Sequence, residues 1–220
     1  MGPSHVERWA PPAPVVPAEL ILRLQKYRDP SRAPGPIREA ADLVAAEATR
    51  LATPEAVLWR GPVRIAEAGV VVLGDSHRLH GAALGRLLAA SVEAYVVVLT
   101  LGGRIEDRVH AMFEERQLLE SFLLDTAGWA ALELLARDLR RRLTDVERPR
   151  GRSVTHRLGP GHLDWPLAEQ TTLLRVFGDV PLPVRLNEAA CMLPQKSISA
   201  LFGVVPARSR AAPVGQEGGG

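Results

Sequence analysis

The segment Tyr95-Val96-Val97-Val98-Leu99-Thr100-Leu101 most constrains the fold. It is continuous, apolar and β-branched, with no alternation of polar and apolar positions. A strand of that kind is covered on both faces, so it belongs in the middle of a sheet. Gly102-Gly103 ends it, and a helix is expected from about Arg104. A glycine pair at that junction is either a tight turn or a place where backbone N–H groups meet an anion.

The second constraint is a long helix, expected from Leu118 to about Leu143. Between Phe122 and Ala136 its only polar members are Asp125, Thr126 and Glu133. A helix apolar nearly all round is expected to be buried. Phe122, Thr126, Trp129 and Glu133 share one face, at spacings of four, three and four. A carboxylate on a buried face needs a partner. Arg137, four residues on, is one candidate; a cationic ligand is the other.

The remaining elements are shorter. Helices are expected over Glu19–Lys26 and Ile37–Leu51, the latter from its stripe of Ile37, Ala40, Ala41, Val44, Ala45 and Ala48. Ala56–Trp59 and Val63–Ile65 read as two strands parted by Gly61-Pro62, with a further strand over Gly69–Leu73. Ser76 is the expected cap of a helix running through Leu79, Ala83, Leu84, Leu87 and Leu88. That places His77 and His80 on its first turn, where a metal would lack further ligands at a matching offset and two surface histidines suffice. Leu167–Phe177 reads as a short helix, and Val184–Leu186 and Ser197–Val204 as strands.

Residues 1–17 hold five prolines and read as a disordered lead-in; residues 207–220 end in three glycines and read as a disordered tail. One domain is therefore expected over residues 18–206. The single cysteine, Cys191, excludes an intrachain disulfide, and its neighbours Ala190 and Met192 suggest a buried thiol. No secretory signal and no apolar run of about 20 residues is visible, so the expected location is the cytoplasm, with no membrane partner. A net charge of +2 is weak support for a nucleic-acid partner.

Eight arginines lie from Arg137 to Arg157, against Asp138, Asp145 and Glu147. They read as a solvated helix end and a basic loop, or as a docking face for an acidic partner. No aromatic residue is interleaved to stack on bases, which argues against nucleic acid. The run leads into Arg157-Leu158-Gly159-Pro160-Gly161-His162-Leu163-Asp164-Trp165-Pro166. Glycine lets backbone pass close to a ligand, proline fixes the path, and Arg offers a rigid fork for a carboxylate or phosphate. The stretch is either a structural turn or a ligand-gripping loop.

Four segments, read together, resemble a known family. They are Val97 to Gly103; Leu123-Leu124-Asp125 through Glu133; Arg157 through Pro166, like an Arg-x-x-x-Gly-Tyr motif; and Leu186-Asn187-Glu188 through Ser199, which holds Met192-Leu193-Pro194 and Ser197-Ile198-Ser199. In this order they resemble the S-adenosylmethionine-binding activation (reactivation) domain of cobalamin-dependent methionine synthase, in its stand-alone form. The resemblance implies S-adenosylmethionine as ligand, with Arg157 on its methionine part and Glu133, Leu158, Gly161 and His162 beside it. His162 stands where the family has Tyr, and the family's later tyrosine-bearing segment has no counterpart here.

The implied function is support of reductive methylation of cob(II)alamin on a separate corrinoid methyltransferase such as methionine synthase, so that this chain is a methyltransferase component of methionine biosynthesis. The catalysis is positioning, with no general acid or base among its residues. Cobalamin belongs to the partner, because no Asp-x-His-x-x-Gly stretch occurs in this chain. The electron donor is expected to be a flavodoxin or ferredoxin-type protein. The alternative is a non-catalytic interaction subunit that caps a corrinoid protein without binding S-adenosylmethionine. The expected fold is α+β, a twisted, mostly antiparallel sheet packed with long helices in a single domain.

Overall fold

A computed structural model describes residues 4–207. Its centre is β5 (Glu93–Thr100), buried from Ala94 onward. Alternate residues of β5 enter different cores. Val97 and Leu99 join a cluster with α2 (Gly35–Leu51) and α5 (Leu118–Glu147). Val96 and Val98 join a cluster on the other face with α3 (Ala82–Leu88) and the buried Trp165 and Phe177. The unbroken apolar run is thus explained by two covered faces.

The strands are β1 (His5–Trp9), β2 (Glu55–Glu67), β3 (Val70–Leu73), β4 (His77–His80), β5, β6 (Arg152–Val154) and β9 (Ser197–Pro206). They form one sheet in the order β4-β3-β2-β5-β9-β6, with β1 on β2. Every pairing is antiparallel. A separate pair, β7 (Arg185–Leu186) and β8 (Met192–Leu193), lies off it. The helices α1 (Ala18–Leu24), α2, α4 (Arg104–Glu114) and α5 accompany the sheet, with α6 (Gln170–Leu174) between two short 3-10 turns. The fold is α+β and a single domain. Among the described residues no helix is long and apolar enough to cross a membrane.

Several local expectations are corrected. β2 is one strand, not two. It runs straight through Gly61-Pro62, pairing with β5 up to Pro62 and with β3 from Val63. Gly61 is needed because a Cβ there would overlap the Trp59 ring. His77–His80 is a strand, not a helical turn. Leu79 alone of its residues is buried, and the segment closes a hairpin onto β3. Successive strand residues alternate faces, so His77 and His80 diverge. The following helix takes no cap from Ser76; its first amides are held by Asp164.

The lead-in is ordered from His5. β1 pairs with β2 from His5↔Arg60 to Trp9↔Ala56, and Pro11, Pro14 and Val16 are buried. Extended proline-rich chain needs no internal hydrogen bonds, so it can lie along a surface at little cost. The domain therefore begins before Ala18. Most of the expected tail, from residue 208, lies outside the described residues.

Candidate functional site

α5 is 30 residues long, about 45 Å at the usual rise. It is not buried all round. Leu123, Leu124, Ala127, Ala131, Leu132, Leu135 and Leu139 fill the core, while Phe122, Trp129 and Glu133 lie on an open side. Leu and Ala dominate the buried side of α5, which leaves the larger residues for a cleft.

That cleft is a cavity of about 540 Å³ between α5, the Arg157–Pro166 loop, the first half of β9 and the turn ahead of β8. Small-molecule sites commonly occupy roughly 300–1,000 Å³. Trp129, Glu133, Arg157, His162, Cys191 and Ser199 all reach it. Cys191 is exposed there, not buried as its neighbours suggested, because the segment before it is a surface turn. In that turn Asn187 Oδ1 accepts from the Ala189 and Cys191 amides.

Arg157 and Glu133 meet at the cleft wall and form an ion pair, N···O 2.5 Å. Glu133 thus takes Arg157 as partner, not Arg137. Both side chains are partly exposed, at 32% and 48%, so the pair is within reach of solvent and of a ligand. Such a pair contributes little stability by itself.

The Arg157–Pro166 loop is held at four points. Leu158 and Leu201 exchange both backbone hydrogen bonds, at 3.1 and 2.8 Å. Gly159 then passes so close to β9 that a Cβ would lie 2.7 Å from the Ser199 carbonyl oxygen. Gly161, at φ +88°, donates its amide to the Trp165 carbonyl at 2.8 Å. Asp164 accepts from the Ala82 and Ala83 amides at 2.8 and 3.0 Å. These amides, Ala83 first, hold the Asp164 carboxyl below its usual range. Trp165 is buried in the core opposite the long helix.

Of the five residues nominated from sequence, Glu133, Arg157 and His162 line the cavity. The His162 ring is steadied by a 3.1 Å contact from Nδ1 to the Gly159 carbonyl oxygen. Leu158 and Gly161 do not line it; their amides are already engaged within the loop and with β9. Sequence reasoning missed Gln170 and Ser199. Buried Gln170 receives the Ser199 hydroxyl hydrogen bond at 2.8 Å and donates to the Ala190 carbonyl at 2.7 Å, tying the mouth of the cleft to β9. A polar residue in a short helix carries no local sign of such a role. Trp129 shares a face with Glu133 as its spacing predicts, but that face is open, and Trp129 forms the aromatic wall of the cleft.

The apparent surplus of arginine on the adjoining surface is mostly internal. Arg141 pairs with Asp138, Arg142 with Glu7, Arg148 with Asp145, and Arg150 and Arg152 with Glu147.

No family model and no curated protein matches this chain. Among solved structures, the fold is similar to the MetH reactivation domain bound to AdoHcy. The TM-score is 0.62 at 13% sequence identity, covering 94% of this chain and 81% of that one. At that identity the likeness establishes the fold. It extends over nearly the whole chain, including the N-terminal half, which lies outside the four resembling segments.

Proposed function

We propose that this protein binds S-adenosylmethionine in the cleft between α5 and the Arg157 loop. In that role it serves reductive methylation of a corrinoid carried by a separate methyltransferase, such as a methionine synthase subunit. The observation that carries the reading is the Arg157–Glu133 pair at the cleft wall. A methionine moiety brings one carboxylate and one ammonium, the two groups this pair is able to exchange for its internal bond. Arg157 takes the carboxylate with its rigid fork. Glu133 takes the ammonium and lowers the cost of bringing a sulfonium nearby. The similar fold of a reactivation domain with AdoHcy bound supports the same ligand class.

The chemistry is methyl transfer from sulfonium sulfur to the cobalt of a one-electron-reduced corrinoid; the C–S bond breaks as the Co–C bond forms, and S-adenosylhomocysteine leaves. This chain binds and orients the donor, which is catalysis by positioning. The corrinoid stays on its own protein, and the electron comes from a flavodoxin or ferredoxin-type donor.

Titration calorimetry with S-adenosylmethionine tests the reading. Wild type is expected to bind one equivalent. Arg157→Ala loses a charge-assisted pair of about 1.5–3 kcal/mol, a weakening of roughly 10- to 150-fold. Absence of binding by the folded wild type would sink the proposal. The engaged Leu158 and Gly161 amides favour a second reading, a subunit that caps a corrinoid protein without the methyl donor. It predicts a complex whose affinity is indifferent to S-adenosylmethionine.

A further inference from the structure

Beside the main cleft lies a second hollow of about 290 Å³, between α5 and the His156-Arg157 segment. Its floor is apolar, from Ala136 and the buried Phe202. Its walls carry Arg137, Arg140, Arg157 and His156, and Glu133 is its one acidic residue. That carboxylate already neutralises Arg157. Arg140 is steadied by donation from Nε to the Thr155 carbonyl at 3.2 Å.

The contrast with the surrounding surface decides the matter. Arg141, Arg142, Arg148, Arg150 and Arg152 each have a carboxylate partner. Among the described residues Arg137 and Arg140 have none, and both line the hollow beside the paired Arg157. Like charges gathered over a low-dielectric floor repel one another and concentrate anions. A carboxylate offers two oxygens and fills a single guanidinium fork. A phosphate monoester offers three, enough to be shared between two forks one turn apart on α5.

We infer that this hollow is a subsite for the phosphate monoester group of a small ligand, with Arg137 and Arg140 as its principal contacts. The inference does not require the main cleft to take a methyl donor, and the two fail independently.

The test is calorimetric titration of the whole chain with inorganic phosphate, in wild type, in the double variant Arg137→Gln/Arg140→Gln, and in Arg141→Gln. Arg141 is already paired and lies outside the hollow. Phosphate is expected to bind wild type with one site. The double variant weakens it by about tenfold or more, since each charge-assisted pair is lost. Arg141→Gln leaves it unchanged. Dimethyl phosphate, a diester with one charge, binds more weakly than inorganic phosphate. The inference is overturned by no binding to wild type, by equal weakening in Arg141→Gln, by displacement with chloride at matched ionic strength, or by dimethyl phosphate binding as well as phosphate. S-adenosylmethionine titrated into the same double variant reports separately on the main cleft, which neither arginine lines.

Discussion

Asp164 shows how a residue outside the cleft governs it. It lies seven positions after Arg157 and reaches across to the first two amides of α3. Those amides, with no partner inside the helix, favour the ionised carboxylate and hold its pKa below the ordinary 3.8. The sign follows. A carboxyl with a lowered folded value contributes stability above its ordinary value and loses it as pH falls through the lowered one. The tie between loop and helix is therefore expected to be complete at neutral pH and to fail in acid below the usual carboxylate range. Protection of the Ala82 and Ala83 amides, measured against their intrinsic exchange rates at each pH, should fall there in wild type and already be low at neutral pH in Asp164→Ala. Equal protection in both proteins would refute the tie. At this scale the sequence pointed to the loop that lines the cleft, through its side chains and not its backbone. Arg157, Glu133 and His162 were legible because their chemistry is explicit. The Leu158 and Gly161 amides were not, because whether backbone is free depends on the folded path: Leu158 is taken by Leu201 of β9, and Gly161 by the Trp165 carbonyl of its own turn.

Elements were legible where their period was long and unlegible where it was short. α5 and β5 carry enough residues for the pattern to be decisive. His77–His80 is too short to separate a period of two from one of 3.6, and only pairing with β3 settles it. The helix face was the larger error: α5 is hydrophobic on both sides, yet only one side is core. This difference gives a paired prediction on one helix. Leu132 is fully buried, so Leu132→Ala should cost about 2–5 kcal/mol. Phe122 is 58% exposed, so Phe122→Ala should change stability by only about 0.5 kcal/mol. Urea midpoints for the two variants check it; a large loss at Phe122 would mean that the open side is core after all.

For the whole molecule the question is what holds a long helix with an open face against the sheet. Packing of Ala-rich surfaces of α2 and α5 supplies one part. The other is a charge cluster at the end of the sheet away from Ser197. Glu147, at the last turn of α5, is fully buried and receives the Tyr95 hydroxyl at 2.7 Å. Arg60 and Arg152 approach it at 3.1 and 2.7 Å, and both also meet Glu93, at 3.0 and 2.6 Å. One carboxylate thus joins α5 to β2, β5 and β6. Glu147 had been counted from sequence only as a charge opposing a basic run, since nothing local marks it as buried. Removing it leaves two arginines sharing Glu93 in a partly desolvated site, which costs about 3–5 kcal/mol. For a domain of this size that is a fall in midpoint of roughly 6–20 °C. Glu147→Ala should therefore melt early, yet below its transition keep whatever ligand the Arg157–Glu133 cleft binds, because the cluster lies at the far end of β5 and β9. Burial, and then the bond to Glu147, push the Tyr95 phenol well above the ordinary 10.0. Wild-type stability is accordingly indifferent to this group below that pH and declines as pH rises past it, because the unfolded chain ionises first. Ultraviolet titration of the two tyrosines, with thermal melts across the same range, reads both effects. A Tyr95 that ionises in the ordinary range in the folded wild type, or a Glu147→Ala protein as stable as wild type, would show that the cluster does not clamp the helix to the sheet.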